Sequence, residues 1–460
     1  MRIPLSVPLT INEIFENSPS VINFKKDANV RAITTNSKEV EKNDLFIAIK
    51  GDKEDGEKYT EDAKLRGAYI LSSIDAKADL LATDTTLALL EIASYFKSKL
   101  KKIKKTVAIT GSVGKTTTKN VMSKMISTKY KTHATKENYN NFLGMSYTVL
   151  SAPKDTEIIV CEIGMNHPGE ISLMSKMLKP DISVITNIGT SHIGNLGSRE
   201  LIAAAKLEIA DGMKRPCLIV PFNEPLLIKS KSVKYTFSTS DPNADYYIQI
   251  IDKNKLYTEF NILSKNINIK NLKVNLHGVH VGNALCISVA VMNLIGADNN
   301  DIKNAISMVD GTCFRGNIIK IDDFYAYDDT YSSSYEAVLC DFEVLKLYTP
   351  INKSCMLGDM LELGEHSESL HKKLGKAVYE YGFRNLYALG AYAPSLAEGA
   401  LEAGMNRENI FINSDAAKTE ITANQILKNK IKDEIILFKA SHAIHAEKII
   451  ELLLNITRNK

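Results

Sequence analysis

Thr106-Val-Ala-Ile-Thr-Gly-Ser-Val-Gly-Lys-Thr-Thr-Thr118 decides how this chain is read. The apolar run from Val107 turns into Gly111-Ser112-Val113-Gly114 and then into Lys115, Thr116 and Thr117. Glycines let successive backbone N–H groups curl toward a phosphate chain. The lysine reaches the β- and γ-phosphates, and the threonine hydroxyl meets Mg²⁺. A helix starting at the turn adds its dipole. The common spacing G-x-x-x-x-G-K-[ST] would put its first glycine at Ile109, so this is the rarer, shorter form Thr-Gly-x-x-Gly-Lys-Thr-Thr. Strand, glycines, lysine and helix in this order predict a nucleotide-binding loop.

Outward from the loop, strands and helices alternate from residue 106 to about 315. Ile158–Glu162, Ile182–Thr186 and Cys217–Phe222 are short apolar runs bounded by turn residues, as expected of strands covered on both faces of a parallel sheet. Tyr246–Ile251 and Leu256–Phe260 alternate with period two and predict an antiparallel hairpin; Gly282–Gly296 returns to helix. Upstream, residues 1 to about 100 read as a small mixed unit, with a strand at Asp44–Ile49, a helix, glycine turn and strand over Ala63–Leu71, and a helix at Ala88–Leu100. From about 316 a second alternating set appears, with strands at Phe324–Tyr327, Cys355–Leu357, Leu386–Leu389 and Ile435–Phe438. The fold expected is α/β in three domains: residues 1–100, a central nucleotide domain over 101–315, and a Rossmann-like domain over 316–460.

The chain has 460 residues, 44% of them hydrophobic, enough for about three ordinary cores. A net charge of +3 is too balanced to argue for nucleic acid. The basic run Lys97–Lys105 reads as a solvated helix end or linker. The six cysteines include no Cys-x-x-Cys pair, which argues against a disulfide framework or zinc knuckle and for the cytoplasm. No secretory leader is visible, and no apolar run approaches the length that spans a bilayer.

Further polar clusters follow the loop. Asn138, Asn140 and Asn141 crowd one turn; amides orient phosphates or carboxylates without adding charge. Glu162 ends a buried strand, where a carboxylate can hold Mg²⁺ beside Thr116. His192 closes the polar turn Thr186-Asn-Ile-Gly-Thr-Ser-His192 at another strand end. Lys206 lies on a helix expected over Ser198–Met213, where a solvated lysine near Glu200 and Glu208 is the plain reading.

With these motifs in order, the chain resembles the Mur ligase family, ATP-dependent amide-forming enzymes of cell-wall precursor assembly. The resemblance rests on residues 110–117, Asn138-Tyr-Asn-Asn-Phe-Leu-Gly144, Glu162-Ile-Gly-Met165, Thr186–His192 and Ala205-Lys-Leu-Glu-Ile209, and extends along nearly the whole chain. Met356-Leu-Gly-Asp-Met-Leu-Glu-Leu-Gly364 with His371 resembles the members that add D-alanyl-D-alanine to a UDP-N-acetylmuramoyl tripeptide, as do Asn36-Ser-Lys38, Asp44–Ala48 and Asp55-Gly56.

The resemblance implies ATP and Mg²⁺ as cofactors and a cytoplasmic monomer. In it, Gly111–Thr117 hold the phosphates, with Lys115 catalytic. Thr116 and Glu162 hold one Mg²⁺ and His192 helps hold a second. Lys206 reacts with CO₂ to give a metal-facing carbamate, a reaction that requires the neutral amine. His280 and Asn283 line the adenine pocket, Arg315 reaches the γ-phosphate, and Asp328 and Asp329 lie near the ribose. Ser37 belongs to the UDP-substrate domain; Asn138, Asn140, Asn141, Lys439 and His442 complete the substrate contacts.

Departures fall on the nucleoside, uridine and amino-acid sides. Val279 and Val281 flank His280 where the family has arginine and asparagine, and Ser332 and Ser334 replace two asparagines. Lys439-Ala-Ser-His442 stands for Lys-Gly-Ser-Arg, Asn36-Ser-Lys38 for Asp-Ser-Arg, and Asp55-Gly-Glu57 for Asp-Gly-His. A divergent member with another donor is therefore the nearest alternative. A GTPase-type switch lacks its Asn-Lys-x-Asp motif, and retention of Lys115, Thr116, Glu162, His192 and Lys206 argues against a silent scaffold.

Overall fold

A computed structural model describes residues 1–51, 54–253, 257–274, 279–313, 316–348 and 352–458. The chain is α/β throughout and builds three sheets in succession, of six, nine and six strands. The first runs, in spatial order, Arg2–Thr10, Asn29–Thr34, Leu45–Ile47, Tyr69–Ser72, Leu80–Ala82 and Val21–Phe24, antiparallel at both edges and parallel inside. Asp84 caps the following helix Thr85–Lys99, which buries Leu89, Ile92, Ala93 and Phe96 at helical spacing.

The nine-stranded sheet places the site. Lys105–Thr110 lies inside it, between Ile158–Glu162 and Ile182–Ile185. After that strand the chain moves to one side, through Thr132–Ala134 and Ile158–Glu162. It then crosses to the other side, through Ile182–Ile185, Leu218–Pro221 and Val233–Ser238. In a doubly wound sheet, ligands bind outside the carboxyl ends at such a crossing. Parallel register sets Ile109 opposite Glu162 and Thr110 opposite Ile185, so carboxylate and loop meet although far apart in sequence. The expected hairpin pairs Tyr246–Lys253 with Thr258–Ser264, and Asn268–Val274 adds a third antiparallel strand. Leu256, the first residue expected in that hairpin's second strand, lies outside the described residues.

The last sheet runs Asn317–Ile321, Phe324–Asp328, Ile435–Lys439, Lys353–Gly358, Leu386–Leu389 and Ile410–Asn413. All its pairs are parallel except the opening hairpin. One set of buried apolar residues is continuous from Ile3 through Met145 and Ile163 to Val338 and Leu437, so the three sheets share packing.

The basic run 97–105 spans the end of the helix Thr85–Lys99 and the link to the next strand, with Lys101, Lys102 and Lys104 exposed, but Lys97 is not solvated. The Lys97 ammonium donates to the Leu178 and Lys179 carbonyls, capping the helix Glu170–Leu178, and burial pulls its pKa down to about 8. Lys99 pairs with Glu13 of the first sheet's unit, and Lys104 with Glu157 and Lys105 with Asp181 of the second's, so that of these lysines Lys97 makes the contact between the two. All six cysteines are free, and no helix among the described residues is long and apolar enough to cross a membrane.

Candidate active site

The nucleotide loop joins the strand Lys105–Thr110 to the helix Lys115–Ile126. Gly114 caps the helix at φ +82°, a conformation that favours glycine. Lys115 Nζ folds back over the loop and donates to the Gly111 carbonyl at 2.7 Å. The loop is fastened by residues after the strand Ile182–Ile185. Asn187 Oδ1 accepts from the Ser112 and Val113 N–H groups at 3.1 and 2.9 Å. Thr186 Oγ1 donates to the Val113 carbonyl at 2.6 Å, and Ser112 Oγ accepts from the Gly189 N–H at 2.9 Å.

Beside the loop, Thr116 Oγ1 donates to Glu162 Oε2 and Asn140 Nδ2 donates to Glu162 Oε1, each at 2.9 Å. Glu162 is buried. A hydroxyl and a carboxylate are hard oxygen donors that suit Mg²⁺. No cluster of three or more His, Cys, Asp or Glu able to hold a metal occurs among the described residues. This set fits an ion completed by phosphate oxygens and water rather than by an all-protein cage. His192, at φ +64°, sets Nδ1 2.5 Å from Glu362 Oε2 of the third sheet's unit, and this contact holds the Glu362 carboxyl below its usual range.

Lys206 is not the solvated lysine its helix suggests. It is 2% exposed, and its ammonium meets no carboxylate among the described residues. Burial first, and Lys115 second, hold its pKa well below that of an ordinary lysine.

The facing wall comes from the third sheet's unit. A cavity of about 540 Å³ is lined by Ser112–Thr118, Asn138, Asn140, Glu162, His192 and Asn283 on one side. Asp329, Tyr331–Ser334, Asp341, Leu361–Leu363, Lys439 and Ser441–Ala443 line the other. Lys439 pairs with Asp329 and Asp341. The His442 ring stacks on Tyr331, centroids 5.3 Å apart. Two glutamates bring the walls together. Glu336 accepts from the Thr190 N–H and Oγ1, both at 3.0 Å, and the Glu362 carbonyl accepts from the Gly194 N–H at 3.0 Å. The approach is close enough that a Cβ on Gly194 would stand 2.4 Å from the Gly364 nitrogen.

Some expected site residues stand elsewhere. Asn141 caps the helix Phe142–Leu150, and Asp328 closes a turn by accepting from the Thr330 N–H and hydroxyl. Ser37 lies, as expected, in the first sheet's unit, where it is buried. Arg315 lies outside the described residues, as does the His280 side chain. Site residues that sequence reading left unassigned are Asn187, Glu336, Asp341 and Glu362. Asn187 and Glu362 stand inside quoted motifs, Asp341 is an acid on the apolar stripe of its helix, and Glu336 carries no local signal.

Residues 109–292 match the family model of the Mur ligase middle domain. Over 438 residues the chain is 33% identical to UDP-N-acetylmuramoyl-tripeptide--D-alanyl-D-alanine ligase of Bacillus subtilis, covering 92% of this chain and 93% of that protein. The Escherichia coli protein of the same name is 27% identical, over 93% and 94% of the two chains. Crystal structure I of MurF from Acinetobacter baumannii superposes with a TM-score of 0.88 at 26% identity, covering 98% of this chain and all of that one. MurF ligase from Thermotoga maritima in complex with ADP superposes at 0.78 and 26% identity, covering 93% and 98%. Identity at this level, spread over nearly the full length of both chains, goes with a common fold and a common order of motifs: the chain belongs to the Mur ligase family.

Proposed function

We propose that this chain is an ATP-dependent, ADP-forming ligase that joins D-alanyl-D-alanine to the terminal carboxylate of a UDP-N-acetylmuramoyl tripeptide. The observation that carries the reading is the two-walled cavity. Its central wall presents a phosphate loop with the Thr116–Glu162 pair, and its other wall presents amine-side residues, all from one chain. A cavity complete within one chain supports a monomer, and free cysteines support the cytoplasm.

A carboxylate resists attack by an amine until one oxygen becomes a leaving group. Transfer of the γ-phosphoryl of ATP to it gives an acyl phosphate; the amine of the dipeptide attacks, and phosphate leaves. Lys115, freed from the Gly111 carbonyl, follows the charge on the transferring phosphoryl group. Thr116 and Glu162 would hold Mg²⁺, with His192 and a carbamate on Lys206 facing a second ion. When bound, these ions neutralise phosphate charge. Asn140 fixes the Glu162 carboxylate, and Asn187 fixes the loop. Arg315 is assigned to the γ-phosphate, and His280 and Asn283 to adenine. Asp329 is assigned to ribose, and His442 with Ser441 to the incoming carboxylate. Glu336 and Glu362 hold the walls together around the acyl phosphate and keep water from hydrolysing it.

The test is chemical trapping. With ATP and the UDP-linked tripeptide but no dipeptide, borohydride reduces the acyl phosphate and yields the alcohol of the tripeptide carboxyl. Full-rate phosphate release upon adding dipeptide, with no trapped alcohol before it, contradicts the acyl-phosphate route. A second reading, a family member with a different donor, is favoured by one observation: His442 replaces the arginine of Lys-Gly-Ser-Arg, and an imidazole cannot grip a carboxylate as a guanidinium fork does.

A further inference from the structure

Three buried charges meet on the C-terminal wall. Lys439 ends the strand Ile435–Lys439, Asp329 follows the strand Phe324–Asp328, and Asp341 reaches in from the helix Tyr335–Lys346. Parallel pairing sets Asp328 opposite Phe438, and the Asp329 N–H donates to the Phe438 carbonyl at 3.0 Å, which puts Asp329 beside Lys439. The ammonium pairs with Asp329 and lies 2.8 Å from Asp341 Oδ2; the Lys439 side chain is 1% exposed. Asp341 is also within hydrogen-bond reach of Asp329, and all three line the cavity.

The charge balance rules out one use of this lysine. A cation with two carboxylates carries a net charge of −1, and a proton on either carboxylate brings it to zero. In neither state does an incoming carboxylate find net positive charge, and little water is present to screen the repulsion. Lys439 is therefore committed to its neighbours. What the cluster offers the cavity is the edge of a carboxylate, an acceptor of hydrogen bonds. A nucleotide in the loop 111–117 is anionic at its phosphates and a hydrogen-bond donor at its sugar. A carboxylate at a strand end is a known acceptor for ribose hydroxyls in doubly wound sheets.

We propose that Asp341 is a positioning residue: through Lys439 it fixes Asp329 in the orientation that accepts the hydroxyls of the nucleotide's ribose. The proposal rests on the ATP reading above. Helix periodicity supports it. Val338, Asp341, Phe342 and Leu345 share the buried face, so the acid occupies a place where an apolar side chain would pack without desolvating a charge. Burial pushes the Asp341 carboxyl above its usual range, a cost the helix bears for this contact.

The test is calorimetric titration of ADP and of 2′,3′-dideoxy-ADP into the full-length protein, with no acceptor or donor present. Wild type should prefer ADP by about tenfold, the size of a hydrogen bond to a charged group. Asp341→Asn, whose amide oxygen still accepts from Lys439, should keep the preference. Asp341→Ala should reduce it to less than about threefold while the KM for the dipeptide stays within about twofold. Should the alanine variant not fold, Asp341→Leu, which suits the apolar face of the helix, takes its place with the same expectation. Equal affinities in wild type, an undiminished preference in the alanine or leucine variant, or a shift in dipeptide KM instead would overturn the assignment. Wild type that binds ADP but never releases phosphate fails the proposed reaction alone, because the sugar preference is read without turnover.

Discussion

Lys206 in the central unit and Lys439 in the C-terminal unit are both buried, and their surroundings are opposites. Lys439 sits between two carboxylates, which hold its pKa above the ordinary lysine value against the pull of burial. Lys206 has no carboxylate partner among the described residues, and burial with Lys115 nearby drives its pKa down. Burial alone does not decide what a lysine does. With acids beside it, a lysine is held as the cation; without them, burial favours the neutral amine, the form that reacts with CO₂. The contrast accords with the proposed division of labour between the walls, phosphoryl chemistry on one and orientation of ligand groups on the other.

The largest effect is expected on the phosphoryl wall. Lys115→Ala should lower phosphate release by about 10²- to 10³-fold with little change in Tm, because it removes a contact to charge that develops in the transition state. Near-normal release from the folded variant would remove the loop from the mechanism.

Next comes Lys206. Lys206→Ala should cost about a hundredfold in kcat, and formate or acetate should partly restore it by filling the vacated anionic place. Lys206→Arg keeps a cation and should not recover. A carbamate on Lys206 would form only from the neutral amine, so its occupancy should fall as pH falls, and depletion of bicarbonate should cost more activity on the acid side. Full activity of the arginine variant would erase the difference between the two lysines.

Smaller effects belong to the contact between the walls and to the donor side. Glu336→Ala removes both acceptors from Thr190 and should lower kcat about tenfold with ADP affinity nearly unchanged, read by pairing turnover with calorimetry. A fall in ADP affinity alone would assign Glu336 to the nucleotide instead. His442→Arg should lower the KM of D-alanyl-D-alanine by about threefold, since a guanidinium grips a carboxylate as a fork. An unchanged KM would place the incoming carboxylate away from His442.

The difference between the lysines was half legible in the sequence. Thr116, Glu162 and His192 stand at or just beyond strand ends within short motifs, where residue type and local pattern suffice. Lys206 read as solvated because of nearby Glu200 and Glu208, yet Ile202, one helical turn before it, marks the buried face. Asp341 stands likewise on the stripe of Val338, Phe342 and Leu345, and an acid on an apolar stripe is a signal to seek a partner. Glu336 gave no such signal, since its contact with Thr190 is made only when the third sheet's unit meets the second's. The same holds for the basic run: Lys97 reads as surface until the helix Glu170–Leu178 brings its carbonyls. Strands Asn317–Ile321 and Ile410–Asn413 carry a weak sequence signal because each is an edge strand with mixed burial.

The central claim, that this ligase couples D-alanyl-D-alanine to a UDP-linked muramoyl tripeptide, is tested most directly by competing donors. kcat/KM should be measured for D-alanyl-D-alanine, meso-diaminopimelate, L-lysine and D-glutamate on their matching UDP-linked acceptors. The dipeptide is predicted to give the highest value despite His442. A free amino acid exceeding it by tenfold, about 1.4 kcal/mol in transition-state stabilisation, would contradict the account.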